Sequence, residues 1–467
     1  MMRRLPRSVL TLIIIGTALL RVIGPGRASA APPHRILRHH RPAAQRVGPV
    51  ESPAFHTVYI RLGSGRDEGL LYEPTSPGPK ARVALLFSHP DGNTFGYIIG
   101  PQMAKRGYRV LMVNHHGPED GPWVYAPGIS VGIRYLRTLP GVQRVVVVGH
   151  SGGAHLMAFY ANVAAHGPSA CDGADKVYPC PTRGLAELAK PDGVILLDPP
   201  TGAFHAMSSI DPAVRSNSKS RIAALDMFSA VNGFDPATGR ARYSAGFARR
   251  FFRAQAARNT RIVDRALASL RAIEQGRARY RDDAPFVVPG MGVNAAGARP
   301  YQTDPTDFLV HTRNPHLLLE PHGKTADVII RSVRPPMGQY ARKLDTLDVM
   351  TQDTTVRRFL GNYAIRTEPD YAITADNILG VHWASAVDSA PGNARGITVP
   401  ALIMVMTCHY FVVSGEIIYD QLASKDKTYA AVEGATHMFT PCRPQYGNTV
   451  KRTFNFMDSW LTKPGRF

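Results

Sequence analysis

A chain of 467 residues, 44% apolar and 19% charged, has room for one large domain with insertions or for two domains, and its composition excludes a disordered or fibrous protein. The formal charge of +20 admits anionic substrates, acidic polymers or a negatively charged surface, and equally an origin in a basic compartment. Four cysteines suit an oxidising compartment, and of the three connectivities they allow, Cys171–Cys180 and Cys408–Cys442 are expected.

In chain order, the first residues read as an export leader. "MMRRLPR" is basic, "SVLTLIIIGTALL" is apolar but too short to span a bilayer comfortably, and "GRASA" ends in a small-x-small pattern before Ala31. Residues 1–30 are therefore expected to be a cleaved signal peptide, leaving a secreted or periplasmic product without a stable membrane span. Arg3, Arg4, Arg7, Arg21 and Arg27 fall in this leader without an acid, so about +15 remains on the rest. Residues 31–52, rich in Pro, Arg and His, read as a mobile segment.

The pattern then becomes regular. "FHTVYIRL" and "GLLYEP" read as two strands joined by a turn, and "ARVALLFSH" as a buried strand. A short helix in "FGYIIGPQMAKRG" leads to the strand "YRVLMVNHHG", and the helix "GISVGIRYLRTLPG" leads to the strand "RVVVVG". Ser151 follows directly between glycines, then a helix, then the strand "DGVILLD". Apolar strands alternating with helices predict a mostly parallel sheet covered on both faces.

Between residues 202 and 397 this alternation stops. The segment "RYSAGFARRFFRAQAARNTRIVDRALASLRAIEQ" has Ile262, Ala266, Leu270 and Ile273 at helical spacing. Arginines outnumber acids from Arg240 to Arg281, which suits a solvated helix face or a lid that reads anionic or interfacial substrates. Phe247, Phe251 and Phe252 are expected to pack its inner face. Strand and helix resume with "GITVPALIMVMT", "SGEIIYDQLAS", "KTYAAVEGATH" and "NTVKRTFNFMDSWLT". The expected organisation is a sheet core in two parts, residues 53–201 and 398–467, carrying a large, mainly helical insertion over 202–397.

Gly149-His150-Ser151-Gly152-Gly153 is a G-x-S-x-G pattern between a valine run and a helix, the setting in which a serine hydroxyl is lifted clear of a sheet edge. Such a hydroxyl needs a base, and His437, in a loop after the last predicted strand, is the expected one. His115, His116, His150 and His155 compete, with His150 expected to pack or to line the pocket. No CxxC or HxxxH spacing, Gly-rich phosphate loop or nucleic-acid module is evident, so no cofactor, metal or nucleic acid is expected.

With "GHSGG" and "LLDPP" after strands, "SHPDGN" after an earlier one and "EGATH" near the end, the chain resembles the α/β-hydrolase family over about residues 55–200 and 398–467. The resemblance implies an eight-stranded, mostly parallel sheet with helices on both faces, a cap in the place of the insertion, and Ser–acid–His acyl transfer. It also implies an oxyanion hole, with one donor at Gly152 N–H and the other at Asp91, since Pro90 has no N–H. The acid departs from the family's usual pattern: "CHYFVVSGE" puts His409 near the expected place, with no Asp. Asp198 at the end of "VILLD" and Glu416 at the start of a helix are the two candidates, the latter also explicable by the helix N-terminus.

The resulting expectation is a secreted serine hydrolase acting on a carboxylic ester, small or lipid-like, with an anionic ester as one possibility. The alternatives are an amidase, peptidase or thioesterase of the same fold, and a non-catalytic binding protein on a degenerate hydrolase frame. Oligomeric state is not encoded in any of these patterns.

Overall fold

A computed structural model describes residues 52–63, 67–90, 92–117, 119–214, 221–292, 297–335 and 351–467. The expected leader, residues 31–51 and Asp91 lie outside this set.

Runs of apolar residues without alternation can be buried only between two covering layers, and the central strands occupy that position. In chain order the strands are β1 (Phe55–Leu62), β2 (Asp67–Pro74), β3 (Val83–Ser88), β4 (Val110–His115), β5 (Arg144–His150) and β6 (Gly193–Leu197). Short strands follow: β7 (Phe234–Asp235), β8 (Arg240–Ala241) and β9 (Pro285–Pro289). Then come β10 (His311–Leu319), β11 (Thr325–Arg331), β12 (Thr351–Thr355), β13 (Arg366–Ile373) and β14 (Ile378–His382). The last two are β15 (Ala401–Met406) and β16 (Lys427–Val432).

Ten of them form the main sheet in the order β1-β2-β4-β3-β5-β6-β15-β16-β10-β11. From β4 to β10 every neighbouring pair is parallel, while β1, β2 and β11 join antiparallel at the two margins. Successive residues of β3 serve different cores. Ala84 and Leu86 pack with Ile129, Ile133 and Leu156 of the helices Ala126–Thr138 and Gly152–His166. Val83, Leu85 and Phe87 pack with Met103, Phe454 and Trp460 of the helices Ile99–Ala104 and Thr449–Leu461. Each fully buried side chain of this kind contributes about 1.5–3 kcal/mol, so the frame behind the serine turn is rigid on both sides.

The eight strands expected from the sequence are present, and two more extend the sheet. Both come from the 202–397 segment, as β10 and β11. Mixed composition hid them: "HTRNPHLLL" carries Pro315 and few apolar residues in its first half. The structure accommodates that proline at a register irregularity between His311 and Pro315, where the ladder does not need its missing N–H. Three further two-stranded sheets, β7–β8, β9–β12 and β13–β14, lie in the same segment. The expectation of a mainly helical insertion is thus corrected to a mixed one. Its principal helix, Ala245–Glu274, runs 30 residues from an N-cap at Ser244, whose side chain accepts the Phe247 N–H. Phe247, Phe251 and Phe252 face inward as expected, and Arg249, Arg250 and Arg253 are exposed.

Both expected disulfides, Cys171–Cys180 and Cys408–Cys442, are formed. Among the described residues no helix is long and apolar enough to cross a membrane.

Candidate active site

The turn around Ser151 is dictated by what its neighbours lack. A Cβ on Gly149 would stand 2.1 Å from the Gly153 carbonyl oxygen, and one on Gly153 would stand 2.4 Å from the Ser88 carbonyl oxygen. The first atom belongs to the opening turn of the helix Gly152–His166 and the second to the end of β3, so only glycine fits. Ser151 itself adopts φ 54°, ψ −125°, a conformation that costs a side-chain-bearing residue about 1–3 kcal/mol and is held by its surroundings. Its N–H donates to the Leu197 carbonyl at 3.1 Å, which anchors the turn to the end of β6. Gly152 opens the helix Gly152–His166, so its N–H has no intrahelical acceptor and is free to face a developing negative charge.

Asp198 is the next residue after β6, and it is fully buried. Its backbone N–H donates to the Met404 carbonyl at 2.6 Å, and its Oδ1 accepts the Met406 N–H at 3.0 Å. Its Oδ2 accepts from His437 Nδ1 at 2.6 Å. A carboxylate only accepts, so Nδ1 of His437 carries the proton and Nε2 is left with a lone pair. Burial works against ionisation of Asp198, but His409 and His437 overcome it and hold the carboxyl below its ordinary range.

His409, which the sequence puts near the usual place of the acid, makes a contact with Asp198 that the sequence did not disclose. Its Nδ1 lies 2.7 Å from the same Asp198 Oδ2, out of line for a regular hydrogen bond. Its ring stacks on that of His437, with centroids 4.5 Å apart and planes at 30°. His150, the residue before Ser151, contacts His437 as well, with ring centroids 4.5 Å apart. His150 Nε2 donates to the His437 carbonyl at 2.8 Å, and its buried Nδ1 has no hydrogen-bond partner. Burial, reinforced by His437, pushes the His150 pKa well down, so the ring is neutral. His150 therefore ties the His437 loop to the serine turn, in keeping with the packing role expected of it.

The other candidates are placed elsewhere. Glu416, in the helix Val412–Gln421, is buried and spends its carboxylate on the Arg313 N–H (2.8 Å), the Asn314 N–H (2.9 Å) and His316 Nε2 (3.0 Å). It pins β10 and does not serve His437. His115 and His116 pair with Asp67 and Glu68 of β2, and His155 pairs with Asp388 at 2.5 Å. Asp91 is outside the described residues; His89 and Pro90 before it lie close to the turn, each with an atom 3.1 Å from where a Gly152 Cβ would stand. Tyr125 donates to the Pro90 carbonyl at 3.2 Å, and the Thr94 N–H donates to Asn114 at 2.7 Å.

The 202–397 segment brings His205 to the same place. Its ring contacts Phe411 at 5.5 Å and stacks on Tyr410 at 6.2 Å. Burial first, and then the positive charge of Arg299, push its pKa well down. No local signal in "GAFHAM" announces this position, because only the fold of the segment returns it to the sheet edge. Arg334 is buried nearby, donating to the carbonyls of Leu309 (2.7 Å), Tyr301 (3.0 Å) and Phe308 (2.6 Å).

The nitrogen and oxygen atoms of Asp198, His409 and His437 lie within 4.8 Å of one another, as metal ligands would. The spacing argues against that use. Ligands bound at about 2.0–2.1 Å and at tetrahedral angles stand roughly 3.4 Å apart. Separations of 2.6 and 2.7 Å are direct contacts between the groups, with no gap for an ion. The arrangement can instead relay a proton from a hydroxyl to His437 Nε2 while Asp198 balances the imidazolium.

Comparison with family models and with curated proteins finds no match. Among solved structures, the chain is similar to brefeldin A esterase, a bacterial homologue of human hormone-sensitive lipase, at 12% identity and a TM-score of 0.40, covering 90% of this chain and 81% of that one. It is also similar to a hormone-sensitive lipase from a metagenome library, at 10% identity and a TM-score of 0.41, covering 90% and 88%. A third is Est1E from Butyrivibrio proteoclasticus, at 12% identity and a TM-score of 0.36, covering 87% and 99%.

Proposed function

We propose, with the α/β-hydrolase fold of this chain as the premise, that it is a serine hydrolase that cleaves carboxylic esters through an acyl-enzyme. The observation that carries the reading is the 2.6 Å bond from His437 Nδ1 to Asp198, formed next to a strained serine turn on the adjacent strand.

In this mechanism Ser151 Oγ attacks the ester carbonyl carbon while its proton passes to His437 Nε2. The carbonyl electron pair moves onto oxygen, and the Gly152 N–H faces the resulting oxyanion; one such donor is worth about 3–4 kcal/mol in related chemistry. The second donor is assigned to the loop after β3, at Asp91. Collapse expels the alkoxy group, which leaves with the proton from Nε2. Water then repeats the sequence, giving its proton to Nε2 and displacing Ser151 as the acid product forms. Asp198 orients the imidazole and stabilises its charge throughout.

The substrate class proposed is a small or lipid-like ester. An ester carrying an anionic group is included in that class because of the chain's formal charge of +20. Residues 202–397 are proposed as the cap over the pocket, a role supported by the position of His205 beside Tyr410 and Phe411. Export to the periplasm or medium is proposed from the basic–apolar–small leader and is supported by the two disulfides.

A fluorophosphonate probe tests the reading. Wild type is expected to label at Ser151 and to hydrolyse a panel of esters of graded chain length faster than the matching amides. Ser151→Ala is expected to do neither. A folded wild-type protein that does not label would refute the proposal in favour of a non-catalytic binding role.

A further inference from the structure

We propose that His409 is a positioning residue: through its contact with Asp198 Oδ2 and its stack on His437, it holds acid and base in register for proton transfer. This rests on the serine-hydrolase reading above.

The first support is the contact itself. At 2.7 Å, an unprotonated Nδ1 would turn its lone pair on a carboxylate oxygen, which is repulsive. A proton on Nδ1 removes that repulsion, so Oδ2 accepts the aligned His437 N–H and has the His409 N–H beside it, out of line for a second regular bond. With Oδ1 fixed by the Met406 N–H, both oxygens of the carboxylate are held, and its plane has no freedom to rotate.

The second support is that His409 is itself immobilised. Its N–H donates to the Met406 carbonyl at 3.0 Å, and its carbonyl accepts from Ser332 Oγ at 2.7 Å. Cys408, the residue before it, is bonded to Cys442. Its ring lies against Tyr410, with centroids 4.2 Å apart, and edge-on to Phe411 at 4.4 Å. A ring so enclosed defines one wall for the His437 imidazole, in addition to the hold that His150 has on the His437 backbone.

The third is the charge state that the arrangement requires. When His437 becomes an imidazolium, a cation 4.5 Å away would oppose it. The groups facing His409 are Asp198 at the end of β6, His437 after β16, Arg334 after β11, His205 in the helix Ala203–Met207, and the adjacent Tyr410. Burial outweighs the attraction of Asp198 and lowers the His409 pKa, with His437 and Arg334 acting in the same direction. His409 is thus a neutral ring whose Nδ1 lies against the Asp198 oxygen that His437 bonds, close enough for its dipole to act on that charge although it is out of line for a regular hydrogen bond.

Two variants separate the donor from the ring. His409→Phe keeps a stacking surface without a donor; His409→Asn keeps an N–H close to the Nδ1 position without the ring. With folding checked by circular dichroism, His409→Phe is expected to lose roughly tenfold to a hundredfold in kcat, with KM changed by less than about twofold, as for loss of alignment. Because His437 then faces the undivided Asp198 charge, the acid limb of the kcat/KM profile is expected to move to higher pH. His409→Asn is expected to recover most of kcat and to return that limb towards wild type. Phe and Asn variants that match wild type in kcat and pH profile would overturn the proposal, as would equal losses in both with an unshifted profile. Probe labelling of wild type at Ser151 runs in parallel: labelling with no His409 effect defeats this inference alone, and absent labelling defeats both.

Discussion

Asp198 accepts the Nδ1 proton of His437 across 239 positions of sequence, from the end of the strand beside the one that carries Ser151. If this pair is the working acid and base, Asp198→Asn presents an amide that cannot balance the imidazolium, and kcat is expected to fall by about 10⁴-fold. Glu416→Gln is expected to leave kcat nearly intact and to cost about 2 kcal/mol of stability, because its carboxylate bonds are spent on β10. Steady-state kinetics and urea unfolding of both variants check the contrast; a catalytic loss confined to Glu416→Gln would reverse the assignment.

The glycines of the serine turn are expected to be intolerant for a steric reason. Gly153→Ala sets a methyl group against the Ser88 carbonyl and Gly149→Ala sets one against the Gly153 carbonyl, so each is expected to cost more than about 3 kcal/mol. Gly78→Ala, where the added Cβ meets nothing within 4 Å, is expected to stay within about 0.5 kcal/mol of wild type. Denaturation midpoints decide it, and a harmless Gly153→Ala would show that the turn is not sterically fixed.

Stability is expected to fall on mild acidification, and His150 supplies the sign. Its folded pKa lies well below the ordinary value of about 6.5, so below that pH the unfolded chain binds a proton that the folded chain refuses. The contribution is complete above about pH 6.5 and is lost below it, at up to about 1.4 kcal/mol per pH unit for such a group. Asp198, held below its ordinary range of about 4, keeps its contribution until far lower pH and so does not confuse the window. Urea titrations between pH 5 and 8 should show a shallower pH dependence for His150→Phe than for wild type. Parallel curves would mean that His150 is protonated in the folded state.

Removing the Cys408–Cys442 bond is expected to cost about 3–4 kcal/mol, given the 34-residue separation it closes. The shorter Cys171–Cys180 bridge, spanning 9, is expected to cost less, about 2.5–3 kcal/mol. Only the first should also reduce kcat, because it joins the loop of His409 to the loop of His437. Paired Cys→Ser variants, compared for unfolding and for turnover, test both statements; equal catalytic losses would detach the bridge from the site.

How much of this could be read beforehand depended on whether the information was local. The serine turn was legible, since four valines, a serine set among three glycines, and a helix follow one another. Asp198 was legible as the end of an apolar strand. The His409 contact was not, because it arises from the ends of neighbouring strands that are far apart in sequence. Glu416 reads as a candidate in the sequence for a related reason. Its partners Arg313, Asn314 and His316 lie on β10, a strand whose proline and polar residues gave no period to follow. A strand that was not foreseen left its counterpart without an evident purpose.

That same strand pair limits how the protein can be re-engineered. Because β10 and β11 complete the sheet beyond β16, the 202–397 segment is not a module that can be excised to leave the sheet core intact. Cutting it away would uncover the backbone edge of β16, which invites self-association, and would strand the Glu416 carboxylate in an apolar interior. Chimeras that exchange substrate preference should therefore join on either side of the β10–β11 hairpin, which belongs with the scaffold although the chain reaches it from within the inserted part.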